Sequence, residues 1–235
     1  MGSILLFLTL VAIVIAWWLL RQRLTAKPWL EEGALGEAPG TGAVALQATT
    51  IGLGVFLVIV GTLFALLISA YSMRMAMADW RSLPVPGVLW FNTGLLVASS
   101  VALQLAYAAV KRGRMEDLKL GVMAGAGFAL LFLFGQILAW RQLNAAGYFL
   151  ASNPANAFFY LLVALHGLHL SGGLLALGRC VNGLWRGNYR RDRVRHNVAL
   201  CAAYWHFLLL VWLVVISLLM GWASDFFELC GRLFA

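Results

Sequence analysis

Residues 48–73 read ATTIGLGVFLVIVGTLFALLISAYSM, 26 residues without one charged side chain, and this run decides the fold class. In hydrocarbon every backbone N–H and C=O must find its partner inside the protein, which leaves the helix as the way for one segment to cross. A helix rises about 1.5 Å per residue, so about 20 apolar residues span a core of about 30 Å. Working outward, the same pattern recurs at 87–110, 118–140, 155–178 and 197–222, and on the N-terminal side in ILLFLTLVAIVIAWWLL at 4–20. The expected fold is therefore all-α: a polytopic membrane bundle of six transmembrane helices. The composition agrees, with 63% hydrophobic and only 11% charged residues, where soluble domains carry roughly a quarter.

The short charged blocks between spans set organisation and orientation. The segment at 4–20 has no positive residue before it and no small-x-small cleavage site after it, so it is expected to stay attached. Pro28, Glu31, Glu32, Glu37, Pro39 and several glycines then mark a polar linker. The expected layout is an extra N-terminal transmembrane helix at 1–27, a cytoplasmic linker at 28–47, a five-helix bundle at 48–227 and a tail at 228–235. Lys and Arg number 3, 4 and 6 in the loops after the first, third and fifth expected spans, against 2, 1 and 1 on the opposite side. Basic loops stay in the cytoplasm, which places both termini outside, in the periplasm of a bacterial inner membrane. The net charge of +8 thus sits in loops and expresses orientation; a nucleic-acid partner would need it on a solvated face.

Polar groups inside a bilayer are costly and usually have a reason. The fifth expected span carries His166 and His169, three residues apart and so on one side of a helix. The sixth adds His206 beside Tyr204 and Trp205. Intramembrane imidazoles serve either as haem or copper ligands or as neutral hydrogen-bonding groups that join helices. Ligands at i and i+3 on one helix cannot clamp opposite faces of one haem, which favours the joints. A proton relay needs acidic partners, yet all nine Asp and Glu lie in loops or near helix ends. Gln104 and Gln136 interrupt apolar runs as candidate hydrogen-bond bridges. Cys180, Cys201 and Cys230 lie far apart with no metal-binding or disulfide spacing, and read as free thiols. Gly121, Gly125, Gly127, Gly167, Gly172 and Gly173, with Ser171, are small residues that let helices approach closely. The tryptophans near span ends, Trp80, Trp90 and Trp140 among them, suit the headgroup level. Arg190, Arg191, Arg193 and Arg195 form a basic run, a candidate contact for anionic lipid head groups.

The stretches AFFYLLVALHGLHLSGG at 157–173 and ALCAAYWHFLLLVWLVV at 199–215 resemble the two signature segments of subunit III of haem-copper oxidases. There the first is a Phe-rich helix with HGxH and a glycine pair, and the second carries YWHF with a Trp six residues after the His. The similarity extends more weakly over about 48–222, leaving the helix at 4–20 outside it. The resemblance implies a five-helix core packed beside catalytic subunit I, with subunit II in the complex. It implies no catalytic residue and no haem or copper in this chain, those cofactors residing in partner subunits. Its role would be support of assembly, lipid placement and durable proton-coupled oxygen reduction. His166, Gly167, His169, Gly172, Gly173, Tyr204, Trp205, His206 and Trp212 are carried over as helix-packing residues only.

The chain also departs from that pattern. A membrane glutamate of the family is matched by Val60, and two further acidic positions by Ala199 and Leu209, so the family's acidic roles do not transfer. The departures leave room for an accessory subunit of a quinol oxidase or nitric oxide reductase. A small membrane transporter is the reading from another class, and it calls for inverted repeats, broken helices or a charged midplane site.

Overall fold

The computed structural model describes residues 41–81, 83–185 and 191–221. Every regular element in it is a helix: α1 is Thr41–Met75, α2 Val88–Lys111, α3 Met115–Ala145, α4 Pro154–Trp185 and α5 Arg191–Leu219. Each is longer than the roughly 20 residues a crossing requires. The expected count is corrected by this: among the described residues five helices, not six, are long and apolar enough to cross a membrane. The segment at 4–20 lies outside the described residues. Its 17 residues stand at the lower limit for a span, whereas the five run from 24 to 32. The outside placement of the N-terminus rested on that sixth span and goes with it.

The chain divides into two compact units, Met1–Ala65 and Leu66–Ala235, with the division falling inside the sequence of α1. In the first, Leu57, Val60 and Phe64 are buried, and Thr62 turns its hydroxyl back to the Val58 carbonyl at 2.8 Å. Back-bonding of this kind hides a polar group inside an apolar helix.

In the second unit α2 to α5 pack as a ring, each helix against the next and α5 against α2. The three-residue turn from α2 to α3 forces these two to run antiparallel as neighbours. Gly113 makes this turn possible with φ 74°, a left-handed conformation that costs other residues more. Small residues set the spacing: a Cβ on Gly121 would come within 2.9 Å of Ala106 Cβ, and one on Gly125 within 2.9 Å of Leu103 Cγ. The core between the four helices is filled by Leu89, Leu96, Leu103, Phe132, Leu162, Leu170, Trp205, Leu208 and Trp212, all fully buried.

Charges occupy the helix ends. Arg74 binds Asp79 through two hydrogen bonds of 2.8 and 2.5 Å, Arg114 pairs with Asp117 at 3.0 Å and Lys119 with Glu116 at 2.9 Å. The Arg74 hydrogen bond, with its charge, lowers the pKa of Asp79 below the usual carboxylate range.

Candidate functional site

The signature histidines and aromatic residues meet where α2, α3, α4 and α5 face one another. His166, fully buried on α4, has its Nε2 3.1 Å from the Leu208 carbonyl on α5. A carbonyl only accepts, so Nε2 carries the proton and the neutral ring leaves Nδ1 as an acceptor. That Nδ1 is buried without a partner. The ring is held from the sides, with Trp212 5.0 Å away and Phe132 edge-on at 5.6 Å. Phe132 and Trp212 also meet edge to face at 5.0 Å, a favoured aromatic geometry.

The tryptophans extend this cluster to the other helices. Trp212 Nε1 donates to Thr93 Oγ1 on α2 at 3.0 Å. Trp205 Nε1 donates to Ser99 Oγ at 2.8 Å, and that hydroxyl donates to the Gly125 carbonyl on α3 at 2.7 Å. One serine therefore links three helices. Tyr204 donates to the His169 carbonyl on α4 at 2.8 Å. Gly173 lets this pair approach: a Cβ there would sit 2.6 Å from Tyr204 Cε1 and 3.0 Å from Trp205 Cζ3. Gly172 faces open space, and a Cβ on Gly167 would make an ordinary 3.6 Å contact with Leu133.

The three histidines do not converge. His169 turns Nδ1 to its own helix, 2.7 Å from the Leu165 carbonyl. His206 does the same, 2.6 Å from Ala202 O, with Ser100 Oγ at 3.4 Å. Unlike His166, His206 lies exposed on the bundle surface. Among the described residues no three His, Cys, Asp or Glu side chains stand close enough to hold a metal ion. One nitrogen of each ring lies against a backbone carbonyl. Arg193 and Arg195 are exposed at the start of α5; Arg191 opens that helix, and Arg190 lies outside the described residues.

Several contributors were not singled out by sequence reasoning. Ser99 and Thr93 sit in α2 as unremarkable small polar residues, and only the mid-span pair Ser99–Ser100 hints at them. Asn92 is fully buried beside Gly135, where an added Cβ would overlap its amide. The amide atoms of Asn92 and Gln136 have no hydrogen-bond partner, so the bridge expected of Gln136 is not made. Gln104 points outward. The described carboxylates Asp79, Glu116 and Asp117 pair with basic residues at helix ends. Val60 is buried.

Comparison with known proteins places this arrangement. The family model for cytochrome c oxidase subunit III matches residues 5–224. It thus reaches back over the N-terminal stretch that the sequence reading had set apart from the resemblance. Cytochrome c oxidase subunit 3 of Thermostichus vulcanus is 29% identical over 180 residues, 72% of this chain and 85% of that protein. Its namesake in Synechocystis is 31% identical over 179 residues, 71% of this chain and 72% of the relative. A haem-copper oxidase subunit I+III of Aeropyrum pernix is 28% identical over 127 residues, 54% of this chain and 16% of that longer protein. With five apolar helices of membrane-crossing length among the described residues and a family match over nearly its whole length, this multi-pass membrane chain belongs to the cytochrome c oxidase subunit III family.

Proposed function

We propose that the chain is the non-redox accessory subunit of a haem-copper terminal oxidase of the cytochrome c oxidase type. It sits in a bacterial inner membrane beside catalytic subunit I and subunit II, which hold the haem and copper. The observation that carries this reading is the use made of the signature histidines and tryptophans. His166 joins α4 to α5, and Trp212 and Trp205 join α5 to α2, so these side chains serve as joints between helices. A bundle stapled in this way is suited to hold a fixed surface against a neighbour. The A. pernix relative supports the choice of neighbour, since its name, subunit I+III, joins the two subunits in one polypeptide.

In this role the chain assists assembly, lipid placement and durability of proton-coupled oxygen reduction without supplying a reacting group. Arg193 and Arg195, exposed at one end of α5, serve as lipid head-group contacts; each basic residue near an anionic surface contributes about 1 kcal/mol. The test is affinity purification from membranes in mild detergent, followed by an absorption spectrum and identification of the accompanying chains. The expected result is a haem-bearing chain in stoichiometric amount, with the colour lost once that chain is stripped away. Haem retained by the isolated chain would overturn the reading.

A further inference from the structure

The outward faces of membrane helices should be apolar, and on α2 to α5 they nearly are. Leu130, Leu131 and Phe134 on α3, and Leu161, Leu168 and Leu175 on α4, are all exposed. Two side chains in the interior of these spans break the rule, Gln104 on α2 and His206 on α5, both exposed. They belong to neighbouring helices and to one face. Ser100 Oγ lies 3.4 Å from His206 Nδ1, and Gln104 is one turn along α2 from Ser100, about 6 Å. His206 stands thirteen residues from either end of the span Arg193–Leu219, at its midpoint.

Neither side chain is satisfied among the described residues. Gln104 makes no hydrogen bond among the described residues. His206 donates Nδ1–H to the Ala202 carbonyl, which in the neutral tautomer leaves Nε2 as an acceptor on an exposed side chain. An unpaired amide and an unpaired acceptor in hydrocarbon are expensive, and acyl chains offer neither donor nor acceptor. A second copy of this chain fits poorly. Two copies with the same orientation about a two-fold axis along the membrane normal set like against like at each level; two Gln104 amides can pair there, but two imidazole acceptors cannot, so His206 stays unsatisfied. What His206 lacks among the described residues is a donor.

We propose that the α2/α5 face carrying Gln104 and His206 is the seat of a transmembrane helix of the catalytic partner, one that presents a hydroxyl, amide or indole donor at mid-membrane. Exposed Val101, Leu105, Leu210 and Leu213 surround the two polar groups and supply the apolar contact around them. The proposal rests on the subunit reading above and adds to it the surface and the chemistry.

The test uses the whole complex from membranes. A photoreactive phenylalanine is placed at Leu105 or Leu210 on this face, and at Leu130 or Leu168 on the other helices. Crosslinks to the haem-bearing chain from the first pair and not from the second are expected. In parallel, Gln104→Leu removes no hydrogen bond among the described residues, so folding is expected to be preserved. Retention of the haem-bearing chain through a detergent wash should fall roughly threefold, and roughly tenfold when His206→Leu is added, as two modest intramembrane hydrogen bonds imply. Undiminished retention in both variants, crosslinks confined to Leu130 or Leu168, or crosslinks only between copies of this chain would overturn the surface and leave the subunit reading standing. Absence of any haem-bearing partner of the wild-type chain would overturn both.

Discussion

His166 and His206 show how one residue type does two different jobs in the same bundle. His166 Nε2 reaches across to the Leu208 carbonyl of another helix, whereas the Nδ1 of His206 returns to its own helix at Ala202. A bond between helices is lost only when they separate, so it contributes to the stability of the bundle; a bond within a helix contributes little. His166→Leu should therefore lower the stability of the purified chain by about 1–2 kcal/mol, and His206→Leu should leave it nearly unchanged, as read from unfolding titrations in mixed micelles. The sequence placed His166 and His169 on one side of α4, but three residues turn a helix by about 300°. That leaves about 60° between them, enough to bury His166 among Phe132 and Trp212 while His169 is only half-buried. Spacing gave the face, and packing decided the role. In the loop after α1, Arg74 holds the pKa of Asp79 below its ordinary value. A depressed carboxyl contributes order above the ordinary carboxylate range and loses it as pH falls through the lowered value. The Met77 and Trp80 amides, bonded to the carbonyls of Arg74 and Met77, should then exchange faster with solvent deuterium in acid. Asp79→Asn should reproduce this at neutral pH.

At the scale of the helix, the glycine pair separates two effects that sequence alone merges. Gly172 and Gly173 are adjacent, and the notion of a small-residue packing face covers both. Consecutive positions on a helix differ by about 100°, so only one of them can face α5. It is Gly173, whose added Cβ would strike Tyr204 and Trp205, while Gly172 opens onto empty space. Gly173→Ala should force α4 and α5 apart and cost about 1–3 kcal/mol. Gly172→Ala should be neutral or slightly stabilising, since alanine favours the helix. Thermal unfolding of the two variants side by side checks this; equal losses would mean that both glycines are packed. The same limit explains why Ser99 escaped notice. Its importance comes from Trp205 on α5 and Gly125 on α3 converging upon it, and nothing in the local sequence of α2 announces two partners from elsewhere. The five long apolar runs were legible because length and lack of charge are local properties, and the joints between them were not because they are made by residues 26 and 106 positions apart.

For the molecule as a whole, charge placement is the property that sequence and structure share most directly. In the antiparallel ring, the end of α2, the start of α3, the end of α4 and the start of α5 lie at one end of the bundle. Lys111, Arg112, Arg114, Lys119, Arg179, Arg193 and Arg195 belong to that end, and Arg74, Arg81 and Arg141 to the other. The asymmetry counted loop by loop thus becomes a physical separation of charge along the bundle. Removing the sixth span from the count does not disturb it, because the rule depends on the loops flanking each helix and not on where the chain begins. The basic end should face the cytoplasm. With the native cysteines replaced by serine, a cysteine at Arg112 should resist a membrane-impermeant thiol reagent in intact cells and react once the membrane is opened. A cysteine at Ala146, in the turn after α3, should react in intact cells. The reverse pattern would mean that a partner's charges, rather than this chain's own, orient the bundle, since the basic loops by themselves favour only one direction.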